Sequence, residues 1–114
     1  MFLASCASHG VNQLDITEVY VSDFRSEDMA SCRPSDVDLN HHEAGEFFKR
    51  ARQVEYRIIH DNYNHAPCNI EGVLKHRSRV CEWEIRAGGT GLIECRGEVR
   101  YFVCDTCDDL FSQK

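Results

Sequence analysis

The chain has 114 residues and a formal net charge of −6, with 28% of its residues charged. This length fits a single domain with a modest core. The acidic balance disfavours nucleic acid as a partner, because binding to phosphate backbones needs a concentrated cationic surface. No apolar run approaches the length of a transmembrane helix.

The first segment carries the motif Leu3-Ala4-Ser5-Cys6. It resembles the lipobox of bacterial lipoproteins, in which a short apolar residue and two small residues precede the lipidated cysteine. The resemblance implies that Cys6 carries the lipid and that Ala7, as the next residue, directs the protein to the outer membrane. A secretory signal has an apolar core of about 7–15 residues before its cleavage site. Only two residues precede this motif, so a start further upstream and a chance match both stay open.

Residues 1–12 are accordingly interpreted as a signal remnant and tether, and residues 13–114 as one α+β domain. The alternative is an ordinary polar N-terminus with a free Cys6. The chain has seven cysteines, so removal of Cys6 to a lipid leaves an even set that can form three disulfides. These six candidates are Cys32, Cys68, Cys81, Cys95, Cys104 and Cys107. In a reducing compartment the same residues would serve as metal ligands, redox groups or buried thiols.

The elements that follow begin with a strand over 13–24, which is rich in β-branched and aromatic residues, with a bulge near Glu18. A polar loop containing Pro34 comes next. Asn40 and Glu43 have the spacing of a helix N-cap and its capping box. Apolar residues at helical spacing then predict one amphipathic helix over 40–64, laid on a sheet or, alternatively, on a membrane surface. Pro67 disfavours continuation of this helix.

The C-terminal half predicts strands over 71–77, 79–86, 91–95 and 98–104. Glycine-rich residues at 87–91 and Arg96-Gly97 mark the turns between them. The expected fold class is therefore α+β, an antiparallel sheet of four to five strands with a C-terminal meander and one amphipathic helix on a face.

Cys81 and Cys95 lie symmetrically about Gly88. A hairpin centred there places the two cysteines opposite each other, close enough for a disulfide, and places Trp83 opposite Ile93 on the same side. The alternative is two buried thiols beside Trp83. Three glutamates point to the other side of this hairpin: Glu82, Glu84 and Glu94.

Cys104 and Cys107 form a CxxC motif. Three interpretations stay open: a structural bridge between the two or outward to Cys32 and Cys68, a redox dithiol, or half of a zinc site. Negative charge around the motif disfavours a reactive thiolate. The alternative structural zinc site would use His65, Cys68, Cys104 and Cys107. A less favoured thiol enzyme would use Cys68 with His60 or His65.

The sequence contains no nucleotide-binding loop, no zinc-protease motif and no serine-hydrolase motif. No cofactor is expected. Its size, lipobox and cysteine content are similar to those of small cell-envelope lipoproteins that act as immunity or inhibitor proteins. This resemblance implies a non-enzymatic, periplasmic, outer-membrane-anchored protein that binds and neutralises a toxin or an envelope enzyme. It would touch the membrane only through its lipid and would be a monomer or a homodimer. The expected contacts are the hairpin tip (Gly88, Gly89 and Thr90) and an acidic tail (Asp105, Asp108 and Asp109).

Overall fold

The computed structural model describes residues 11–62 and 66–112. The motif that ends at Cys6, and the predicted zinc ligand His65, lie outside the described residues. Six strands are present: β1 (Ile16–Ser26), β2 (Arg52–Val54), β3 (Cys68–His76), β4 (Arg79–Arg86), β5 (Thr90–Cys95) and β6 (Glu98–Val103). The described α-helices are α1 (His41–Arg50), α2 (Tyr56–Asn62) and α3 (Asp108–Ser112).

The strands form one antiparallel sheet in the order β1-β3-β4-β5-β6-β2. The α+β class and the C-terminal meander from β3 to β6 are confirmed. The number of strands is six rather than four to five, because the three-residue β2 adds an edge to β6. The bulge is also confirmed, since Glu18 has a φ of 51° and the pairing of β1 with β3 shifts between Thr17 and Tyr20.

The prediction of one helix over 40–64 is wrong in its extent. The N-terminus forms as expected, with the Asn40 side chain accepting from the Glu43 N–H and the Glu43 carboxylate accepting from the Asn40 N–H. The helix ends at Arg50, and the side-chain amide of Gln13 donates to the carbonyls of Phe48 and Ala51 at this end. The chain then pairs with β6 before it turns into α2, so backbone hydrogen bonds to the sheet replace those of a continuous helix.

The core lies between α1 and one face of the sheet, which we call the inner face. Phe48 of α1 makes edge contacts with Trp83 and Phe102, at ring-centroid distances of 5.8 and 5.6 Å. Phe47 packs over Gly91, where an added Cβ would lie 3.0 Å from the Phe47 ring and 2.9 Å from the Glu84 carbonyl. The absence of a side chain at Gly91 therefore allows α1 to sit close to the sheet.

Three disulfides join Cys32 to Cys68, Cys81 to Cys95 and Cys104 to Cys107. The predicted Cys81–Cys95 bridge is confirmed, with an S–S distance of 2.06 Å. Trp83 pairs with Ile93 in the register expected from symmetry about Gly88. The CxxC motif closes on itself, and the remaining bridge ties the loop after β1 to the first residue of β3. Within the described ranges, no helix is long and apolar enough to cross a membrane.

Candidate protein-binding face

The side of the sheet opposite α1 is exposed or half-buried along its central strands, and we call it the outer face. Along β4, buried Cys81, Trp83 and Ile85 alternate with more accessible residues on the other side. This alternation is typical of a sheet that packs on one side only. Two rows of side chains make up the centre of the outer face, the first with one residue from each strand except β2 and the second with one residue from all six strands.

The strand register defines both rows. The first row contains Tyr20, Val73, Glu82, Glu94 and Val99. The second row contains Asp23, Glu71, Glu84, Leu92, Tyr101 and Val54. Strands in a sheet lie about 4.8 Å apart, so neighbours within a row are in reach of a single bound segment. Each row places carboxylates beside apolar side chains.

Glu82 and Glu94, here called the glutamate pair, face each other directly across β4 and β5. Both are exposed, and neither forms an ion pair with another residue in the described ranges. Like charges directly opposite each other on a sheet are destabilising. The glutamate pair is therefore an uncompensated concentration of negative charge at the centre of the outer face.

Two of the three carboxylates of the second row, those of Glu71 and Glu84, are compensated. Glu71 accepts from Arg25 Nε at 3.0 Å, and Glu84 lies 3.0 Å from Arg86 Nε. The contact with Glu71 raises the pKa of the Arg25 guanidinium. Asp23, on the edge strand β1, is exposed and forms no ion pair with another described residue. Unpartnered negative charge on the described part of this surface therefore lies at the glutamate pair in its centre and at Asp23 on its margin.

Apolar side chains flank the glutamate pair on both sides. Toward β1, Val73 is 37% exposed, and Tyr20, which is 49% exposed, packs its ring edge-on against His41 at the start of α1, with 5.4 Å between the ring centroids. Toward β6, the half-buried Leu92, Val54, Val99 and Tyr101 form a patch that we call the apolar border. Tyr56 of α2 extends this border, with its ring 5.1 Å from that of Tyr101. An open groove of about 610 Å³ runs beside it.

The hairpin tip only partly matches its prediction as a contact surface. Gly88 is exposed, and Gly89 is half-buried, with its N–H donating to the carbonyl of Arg86. Thr90 is only 6% exposed, because it begins β5 opposite Val103, so the expectation that it is accessible is wrong.

The acidic tail lies beside α1, where Phe111 packs against Phe47 at 6.3 Å. Asp109 accepts from both terminal nitrogens of Arg50, at 2.8 and 3.2 Å, and this hydrogen bonding holds the pKa of the Asp109 carboxyl below its ordinary value. Asp105 accepts from Arg52 at 2.9 Å. Asp108 is exposed on the first turn of α3. Two of the three carboxylates of the tail are thus paired with arginines of the same chain.

The predicted zinc ligands do not occur as free thiols. Cys68 is bonded to Cys32, and Cys104 to Cys107, so neither the zinc site nor a thiol enzyme built on Cys68 is available until those bonds are reduced. In the part of the chain that the structure describes, no three histidine, cysteine or acidic side chains are grouped as metal ligands.

Sequence reasoning placed Glu82, Glu84 and Glu94 on the side opposite Trp83 but did not identify them as a site. The signal that could have identified the site is the alternation of these glutamates with Cys81 and Trp83 along the hairpin, which places all three carboxylates on one side. Glu71 was missed because its strand gave a weak sequence pattern.

No protein-family model, curated protein or solved structure matches this chain significantly.

Proposed function

We propose that this is a non-enzymatic envelope protein that binds and neutralises another protein through its outer face. The observation that carries the proposal is the exposed, uncompensated glutamate pair between apolar side chains. Such a surface favours a basic partner, because complementary charge accelerates encounter and fixes the register of a complex. A toxin or envelope enzyme with a cationic active-site cleft has the required chemistry.

The proposed location is the periplasmic side of the outer membrane, with Cys6 as the lipid anchor. The three disulfides support an oxidising compartment, since such bonds persist there and are rare in the cytosol. We expect the intact mass of protein purified from its native envelope to show an acylated N-terminus at Cys6 and a gain of six protons on reduction. An unprocessed chain with free thiols would contradict this location.

Charge reversal tests the binding surface. Glu82→Arg/Glu94→Arg should abolish capture of the basic partner from a native envelope extract at low salt. The matched control is Asp108→Arg/Asp109→Arg, which changes the net charge equally on the other side of the sheet. We expect the control to retain capture, provided that circular dichroism shows both variants folded.

The opposite pattern, with capture lost only in the tail variant, would move the contact to the tail predicted from the sequence. Capture unaffected by either change would contradict an electrostatic contact at both surfaces.

A further inference from the structure

We infer that the segment of the partner that occupies the outer face is a basic amphipathic α-helix lying across the strands. The inference deepens the proposed function and rests on it. It follows from the spacing and the order of the side chains in the first row.

The spacing of the row matches a helix better than an extended segment. Val73, Glu82, Glu94 and Val99 lie on four successive strands of the sheet. Three inter-strand gaps span about 14 Å. On a helix, four side chains of one stripe, from i to i+10, span about 15 Å. Four same-side residues of an extended chain span about 20 Å. Its side chains are therefore spaced too widely to face all four residues of the row.

The order of the row specifies the chemistry of that stripe. Reading from β3 to β6, the row presents an apolar residue, two carboxylates and an apolar residue. The complementary stripe is apolar, cationic, cationic, apolar at intervals of three to four residues. Neighbours at these intervals lie about 5–6 Å apart on one side of a helix. The apolar border beside Val99 extends the surface available to the last apolar side chain.

Two stapled helical peptides of the same composition test the inference. The first has leucine, arginine, arginine and leucine at i, i+3, i+7 and i+10, with alanine and glutamine elsewhere. The second places both arginines on the opposite side of the helix. Against the wild-type protein at low salt, we expect the first to bind about tenfold more tightly than the second. Glu82→Gln/Glu94→Gln should remove this difference.

A charge swap adds a gain-of-binding readout. Glu82→Arg/Glu94→Arg should recover binding to the first peptide when its arginines are replaced by glutamate, at unchanged helicity. Equal binding of the two original peptides, or a preference for an extended, proline-containing peptide with the same four side chains, would overturn the inference.

The two proposals fail separately. If Glu82→Arg/Glu94→Arg abolishes partner capture while the peptides are not discriminated, the binding function stands and the helical occupant is wrong. If the charge reversal also leaves capture unchanged, the proposed function itself fails.

Discussion

At the scale of single residues, the glutamate pair is placed where it opposes folding. Glu82 and Glu94 occupy facing positions on adjacent strands, and neither has a cationic partner among the described residues. By contrast, Glu71 and Glu84 in the next row are each paired with an arginine. A repulsive arrangement at the centre of such a surface is typical of a site kept for binding at a cost in stability.

Glu94→Gln should therefore stabilise the protein. Removal of one carboxylate relieves the repulsion, and we expect the free energy of unfolding to rise by a few tenths of a kcal/mol at low salt. Urea denaturation at low and high salt measures this gain, which should shrink as salt screens the charges. Glu84→Gln is the matched control on the neighbouring strand β4, and it should not stabilise because it breaks the pair with Arg86. A loss of stability in Glu94→Gln would show that the repulsion is absent.

At the scale of elements, the contact between α1 and the sheet depends on Gly91. An added methyl group there would lie 2.9 Å from the Glu84 carbonyl and 3.0 Å from the Phe47 ring. Both neighbours belong to packed elements, since Phe47 is fully buried and β4 is paired on both sides. Neither the Phe47 ring nor the Glu84 carbonyl can move away from the added methyl group unless α1 or β4 shifts.

Gly91→Ala should lower the free energy of unfolding by about 1–3 kcal/mol, which is the usual cost of overpacking. Gly45→Ala is the matched control, because its nearest contact is an ordinary 3.7 Å to Val19 and alanine favours the interior of a helix. We expect it to be neutral or stabilising. Thermal unfolding of both variants provides the comparison, and equal effects would argue against close packing at Gly91.

Some elements of the fold were predictable from the sequence and others were not. The hairpin from β4 to β5 was predictable because symmetry about Gly88 fixes its register locally. The long helix was not, because apolar residues at helical spacing continue past Arg50 although the chain turns there. Val54 fits that helical stripe yet belongs to a three-residue strand whose partner, β6, is distant in sequence. Contacts of this kind leave no local pattern.

At the scale of the whole molecule, the outer face is assembled from strands that are far apart in the chain. The sequence placed Glu82 and Glu94 on the same side, since one hairpin contains both. It could not place Tyr20 or Asp23 beside them, because those positions depend on the bulged register between β1 and β3. The candidate site is thus predictable at its centre and not at its margins.

The disulfides and the arginine contacts separate the roles of the two sides. Bridges and ion pairs engage the CxxC motif and the acidic tail in the protein's own structure. The outer face keeps its charge exposed. We therefore propose that the outer face binds the partner and that the region around α3 stabilises the fold.

Carboxyl footprinting of the captured complex tests this assignment most directly. Free and partner-bound protein would be labelled with a carbodiimide and a small amine, and the modification of each carboxylate measured by mass spectrometry. We predict that Glu82 and Glu94 lose most of their labelling in the complex, whereas Asp108 is labelled equally in both states. Protection of Asp108 with unchanged labelling of the glutamate pair would contradict the assignment and place the partner on the opposite side of the sheet.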